Sequence, residues 1–137
     1  MKCYLDSSVI LRIVLNQNNQ LLDFKKIDYA ISSHLIKTEC YRTLDRARLR
    51  GLIEEKRFLS CCQHLQHIFD RIEIILLTDS ILERAGRPLG ITLGTLDAIH
   101  LVSAQFWKEI NKQNITFATH DHELAKAAAF HGFQAIG

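Results

Sequence analysis

The sequence predicts an α/β fold: a three-layer α/β/α domain around a central, mostly parallel sheet of about four to five strands. Short apolar runs alternate with segments of helical periodicity along the whole 137-residue chain. That alternation implies parallel pairing through right-handed crossovers, with helices covering the sheet. A chain of this length, read as one domain over residues 1–137, can bury a substantial core without disulfide support. The composition is 47% hydrophobic and 23% charged, with one Pro and six Gly, which excludes a disordered chain.

Lys2-Cys3-Tyr4-Leu5 reads as a short strand, and Asp6-Ser7-Ser8 supplies N-cap oxygens for a helix over Val9–Leu15. A short helix is expected around Gln20–Lys25, then a second strand over Tyr29–Ser32, with Ser33 able to cap the next helix. That helix runs to about Arg50 on an apolar stripe of Ile36, Cys40, Leu44 and Ala47, and Gly51 is placed to end it. Glu54 to about Asp70 reads as another helix, with Phe58, Leu65 and Phe69 as core positions. Ile72–Leu77, apolar except for Glu73, reads as a buried strand. Asp79–Arg87 makes a short helix that stops near Pro88, and Thr95 to about Asn111 a longer one. Ile115–Ala118 is a strand, His122–His131 a helix closed by Gly132, and Phe133–Ile136 a last strand.

The net charge of +2 is too small to imply a nucleic-acid partner by itself, but Arg42, Arg46, Arg48, Arg50, Lys56 and Arg57 fall close together. The cluster fits either the solvated face of two helices or a surface for RNA phosphates or an acidic protein segment, with Arg42 and Arg46 the contact candidates. Met1–Asp6 begins like a mature strand and not a signal peptide, and Val9–Leu15 is interrupted by Arg12 and far too short to span a bilayer. A soluble cytoplasmic protein with no membrane partner is expected. Cys3, Cys40, Cys61 and Cys62 show no framework spacing and are expected to stay reduced.

Ligands of open parallel sheets bind beyond the carboxyl ends of the strands. Asp6 falls just past the first strand, Asp121 just past the Ile115–Ala118 strand, and Asp97 in the first turn of the helix beginning near Thr95. Glu39 lies about two turns into the helix after the second strand, at the edge of its apolar stripe. Asp97 sits in Leu96-Asp97-Ala98-Ile99-His100-Leu101-Val102, a segment apolar almost all round, where an ionised carboxylate needs a cation, a hydrogen-bonding partner or a polar cavity. Converging carboxylates repel one another, and a divalent ion relieves that; an all-oxygen donor set suits Mg²⁺ or Mn²⁺. The chemistry such a site supports is phosphodiester hydrolysis, with the phosphate polarised and water activated for in-line attack. Each acid taken singly also has an ordinary role open to it. Asp6 and Asp121 fit N-caps, Glu39 fits an ion pair with Arg42, and Asp97 fits a cap from inside its first turn.

Tyr4-Leu5-Asp6-Ser7-Ser8-Val9, Thr38-Glu39, Thr95-Leu96-Asp97-Ala98-Ile99-His100-Leu101 and Ala118-Thr119-His120-Asp121 resemble the four signatures of PIN-domain nucleases, in order and through the whole chain. The likeness is greatest to VapC-type toxins of toxin–antitoxin systems. It implies a PIN-like fold and a Mg²⁺- or Mn²⁺-dependent endoribonuclease. Asp6, Glu39 and Asp97 would be the principal metal acids and Asp121 a fourth, often acting through water. Ser7 and Thr119 match small hydroxyl positions near the metal. The resemblance also implies a homodimer held inactive by a small antitoxin. His120 stands where the family more often has an aromatic or small residue.

Other readings are weaker. A haloacid-dehalogenase-like phosphatase wants a second Asp two residues after Asp6, where Ser8 stands, and a receiver domain wants a paired acid and a late Lys. Structure-specific DNA nucleases of the wider PIN group carry insertions this chain lacks. A non-catalytic PIN scaffold would be expected to have lost some acids. Cys61, Cys62, His64 and His67 have zinc-friendly chemistry, but no second ligand pair is spaced to complete a tetrahedron. His120 and His122 read as loop histidines, and His100 as a core or interface histidine with a satisfied hydrogen bond.

Overall fold

A computed structural model of the chain describes residues 1–18, 20–21 and 24–137. The elements run β1 (Lys2–Leu5), α1 (Ser7–Val14), β2 (Tyr29–Ser33), α2 (Leu35–Leu49), α3 (Glu55–Phe69), β3 (Ile72–Ile75), α4 (Asp79–Ala85), α5 (Thr95–Asn111), β4 (Thr116–Ala118), α6 (His122–Phe130) and β5 (Gln134–Ile136). The helix expected around Gln20–Lys25 falls partly on Leu22 and Asp23, outside the described residues; Phe24–Lys26 form a 3-10 turn. All strand pairs are parallel, in the order β3-β2-β1-β4-β5. Strands therefore extend to one side of β1 through β3, and the chain then crosses to the other side for β4 and β5. The reversal leaves a switch point between β1 and β4, where such sheets open a crevice at their carboxyl edge.

β1 is the central strand, and its alternation distributes the core to both faces. Cys3 and Leu5 pack with α1, α2 and α3 residues such as Val9, Ile10, Ile36, Cys40, Leu44 and Leu65. Tyr4 points the other way, with Phe117 of β4, Leu101 and Trp107 of α5 and Leu124 of α6. A third cluster joins Ile81 of α4 to Ile99 and Val102 of α5. The α2 stripe holds at Ile36, Cys40 and Leu44 but Ala47 is only half-buried. Gly51, at φ 71, ends that helix turn. Cys61 donates its thiol to the Val14 carbonyl at 3.6 Å, and all four cysteines are unpaired.

The third strand departs from expectation. It stops at Ile75, with Leu76 exposed, and it is the sheet's edge and not a buried interior strand. Glu73 is at home there, accepting hydrogen bonds from Tyr29 Oη and, at 3.0 Å, from Trp107 Nε1. A charged residue on an edge strand also discourages edge-to-edge pairing. Among the described residues no helix is long and apolar enough to cross a membrane.

Candidate metal centre

Asp6 follows β1 immediately and is the N-cap of α1. Its amide donates to the Ala118 carbonyl of β4 at 3.0 Å, which pins the residue to the switch point. The residue is only 4% exposed, so its carboxylate oxygens depend on protein donors. Oδ2 accepts from Ser8 Oγ at 2.6 Å, from Thr119 Oγ1 at 2.9 Å and from the Ser8 amide at 3.3 Å. Ser7 Oγ reaches Oδ1 from 3.4 Å. Ser8 and Thr119 do the same double duty. While donating to Asp6, Ser8 Oγ accepts the His120 amide at 2.9 Å and Thr119 Oγ1 accepts the Asp121 amide at 3.0 Å. Two hydroxyls thus clamp one carboxylate to the loop that carries another.

Asp121 caps α6, accepting the Leu124 amide at 2.8 Å through Oδ1, and is exposed. Asp97 lies in the first turn of α5, half-buried; Ala98 through Val102 behind it are buried, whereas Leu96 is exposed. Its pKa is raised, first by burial and then by the negative charges of Asp121, Asp6 and Glu39, against the opposing pull of His100. That electrostatic coupling brings all four acids into one field. The N-termini of α1, α5 and α6 surround the same place, and their amide dipoles favour negative charge there.

Glu39 does not pair with Arg42, which bonds Asp45 at 2.8 Å, one carboxylate oxygen each being taken by Arg42 and Arg48. Glu39 Oε1 instead lies 2.5 Å from His100 Nε2, and the same nitrogen is 3.8 Å from Asp6 Oδ1. His100 is fully buried, with Nδ1 2.8 Å from Tyr4 Oη. Burial pulls its pKa down, but the Glu39 hydrogen bond and the charges of Glu39, Asp6 and Asp97 outweigh that and hold it above the ordinary value. His100 is therefore a satisfied core histidine, as the sequence suggested, whose partner is one of the four acids. Its spacing of three from Asp97 on a helix, placing both on one face, was the available signal. The Ser8 contact had no such signal, because Asp6-Ser7-Ser8 read together as a source of N-cap oxygens and the cap is Asp6.

Ligand atoms of Asp6, Glu39 and His100 all lie within 4.8 Å of one another. With Asp97 and Asp121 alongside, the donor set is carboxylate-rich, as a hard divalent ion such as Mg²⁺ or Mn²⁺ prefers. The pKa of Asp97 is raised first by burial and then by the neighbouring carboxylates, and such an ion would relieve that second contribution. A cleft of ≈ 260 Å³ lined by Arg12, Thr119, His120, Asp121 and His122 opens beside this cluster. Larger cavities of ≈ 510 Å³ bordered by α3 and β2, and ≈ 600 Å³ beside β3 and α5, include none of the four acids. Arg46, the other basic contact candidate, is exposed on α2.

The sequence of residues 3–130 matches the PIN-domain family. Ribonuclease VapC47 of Mycobacterium tuberculosis is 31% identical over 104 residues, covering 76% of this chain and 68% of that protein. The crystal structure of PAE2754 from Pyrobaculum aerophilum superimposes with a TM-score of 0.63 at 18% identity, over 98% of this chain and 89% of that one. The family match over residues 3–130 and the identity to a VapC ribonuclease, on a fold of the same kind, show that this chain belongs to the PIN-domain family, as a VapC-type member.

Proposed function

We propose that this protein is a divalent-metal-dependent endoribonuclease, the toxin of a toxin–antitoxin pair, acting on RNA as one domain over residues 1–137. What supports the reading is that Asp6, Glu39, Asp97 and Asp121 come from four separate elements, yet the other three charges act together on the Asp97 carboxyl. Mg²⁺ or Mn²⁺ bound among them would supply charge to a scissile phosphate and acidity to its water nucleophile. The protein's own part is to keep the carboxylates oriented before substrate arrives. Asp6 is held by Ser8 and Thr119, Glu39 by His100, and Asp121 by the Leu124 amide of α6. The three helix N-termini and the Arg12–His120–His122 cleft favour an approaching phosphate backbone. Homodimerisation, a cytoplasmic setting and inhibition by a small antitoxin are part of the same proposal, resting on likeness to VapC ribonucleases.

The test is cleavage of a mixed RNA pool by wild type, Asp6→Asn and Asp97→Asn, each with Mn²⁺, with Mg²⁺ and with EDTA. Wild-type cleavage that needs the ion and disappears in both variants is the expected result. Cleavage that survives both substitutions, or that ignores EDTA, removes the metal centre from the mechanism. A folded wild type that cuts no RNA with either ion favours a non-catalytic scaffold.

A further inference from the structure

We propose that His100 is a positioning residue of the metal centre: it fixes Glu39 by donating a hydrogen bond from Nε2, and Tyr4 sets the ring that makes the donation. The inference rests on the metal-centre reading of the proposed function. Tyr4 lies on the central strand with no exposed surface, its ring stacked on Phe117 at 4.9 Å between centroids. Its hydroxyl oxygen accepts the Ser33 amide at 3.1 Å, which leaves the hydroxyl proton free to be given to His100 Nδ1, 2.8 Å away. An imidazole that accepts at Nδ1 carries its proton on Nε2, and an imidazolium carries one there as well. The remaining tautomer would set a nitrogen lone pair against a Glu39 carboxylate oxygen at 2.5 Å, an arrangement of mutual repulsion. In both favourable forms Nε2 therefore faces Glu39 with a proton and has no lone pair for a metal.

The consequence falls on Glu39. It reaches the site from α2 on a long side chain with three rotatable bonds, and the other three acids sit at or just inside helix N-termini. Holding Oε1 from the α5 side selects one rotamer and leaves the other oxygen for the ion. Metal sites commonly depend on such supporting donors, whose loss weakens binding about 10- to 100-fold. The chain of contacts runs from the Ser33 amide through Tyr4 and His100 to Glu39, so it ties β2, β1, α5 and α2 together at the crevice.

The experiment compares Mn²⁺ affinity, by calorimetry and by the electron paramagnetic resonance of the bound ion, for wild type, His100→Asn and His100→Gln. Asparagine can satisfy Tyr4 but is too short to reach Glu39. Glutamine offers an acceptor to Tyr4 and an N–H to Glu39 from one amide. Expected are a loss of about 10- to 100-fold for His100→Asn and recovery of most of it in His100→Gln. In a Glu39→Ala background the two variants should then differ little, because the residue acted through is gone. Circular dichroism checks that each variant is folded. Equal affinity in wild type and His100→Asn overturns the proposal, as does a folded His100→Gln as weak as His100→Asn. A directly coordinated nitrogen in pulsed spectra of protein carrying ¹⁵N-histidine makes His100 a ligand and overturns it too. A wild type that binds no Mn²⁺ is seen before any variant is compared, and it overturns the metal centre itself together with this inference.

Discussion

Replacing Thr119, a residue only 2% exposed, by valine keeps the side-chain shape and removes one hydroxyl. That hydroxyl donates to Asp6 Oδ2 at 2.9 Å and accepts the Asp121 amide at 3.0 Å. A hydrogen bond to a charged group contributes roughly 1.5–3 kcal/mol, and a buried donor left without a partner costs about 1–3 kcal/mol. The Asp121 amide is only partly buried, and Ser8 Oγ still holds Oδ2 at 2.6 Å, so the lower halves of both ranges apply. The expected loss is about 3 kcal/mol of unfolding free energy, or a fall of about 10 °C in Tm for a chain of this size. Urea denaturation of the metal-free protein measures it. Thr119→Ser is the control: it keeps both bonds and loses one buried methyl, about 0.8 kcal/mol. In parallel, Mn²⁺ affinity of Thr119→Val should drop about tenfold, because Asp6 and the Asp121 loop lose their common tether. A Thr119→Val protein within about 0.5 kcal/mol of wild type and with unchanged affinity would show that the clamp has no energetic weight.

Three other outcomes are expected from the same geometry. Asp97→Asn should stabilise the metal-free protein by about 0.5 kcal/mol, the size of a solvent-screened like-charge contact, and abolish the rise in Tm that Mn²⁺ gives wild type; thermal scans with and without the ion check both, and a less stable variant counts against charge repulsion at the site. Stability in EDTA should fall as pH rises above about 6.5. The folded His100 pKa is raised above its unfolded value near 6.5, so its contribution is complete below that pH and lost as pH passes the folded value. Asp97, raised from 3.8, acts in the same sense at lower pH: its penalty is absent below that value, grows as pH rises toward its folded pKa and is complete above it. Denaturation curves from about pH 5 to pH 9 test this, and stability that climbs over the upper part refutes it; His100→Asn should flatten that limb. Finally, if Arg42 and Arg46 contact RNA phosphates, each alanine substitution should reduce the salt dependence of RNA binding by about 0.7 in log–log slope. An unchanged slope for both would assign the basic stretch to the helix surface, where Arg42 already bonds Asp45.

Much of the fold was legible because it is local. The Thr95–Asn111 helix, the caps at Asp6 and Asp121 and the turn at Gly51 arise from periodicity, side-chain oxygens and backbone freedom within a few residues. The acids were legible for a related reason: three of them fall where a strand ends or a helix begins. The buried interior read into Ile72–Leu77 failed because apolar content does not reveal whether a strand will have one neighbour or two. In β3 the exposed Leu76 and the Glu73 contacts come from an edge position that only the strand order supplies.

Residue chemistry and short-range spacing, both readable along the chain, were enough to mark which residues could make a metal centre and which secondary elements would carry them. The packing of the whole chain decided that β1 and β4 lie side by side, which places Asp6 and Asp121 across one crevice. It also decided that Glu39 turns toward His100 and not Arg42, and that Ser8 joins Thr119 on the Asp6 carboxylate. The Glu39–His100 and Thr119–Asp6 contacts join residues 61 and 113 positions apart. Side-chain partners across crossovers depend on strand order and helix placement, and these are set by burying both faces of the whole sheet at once.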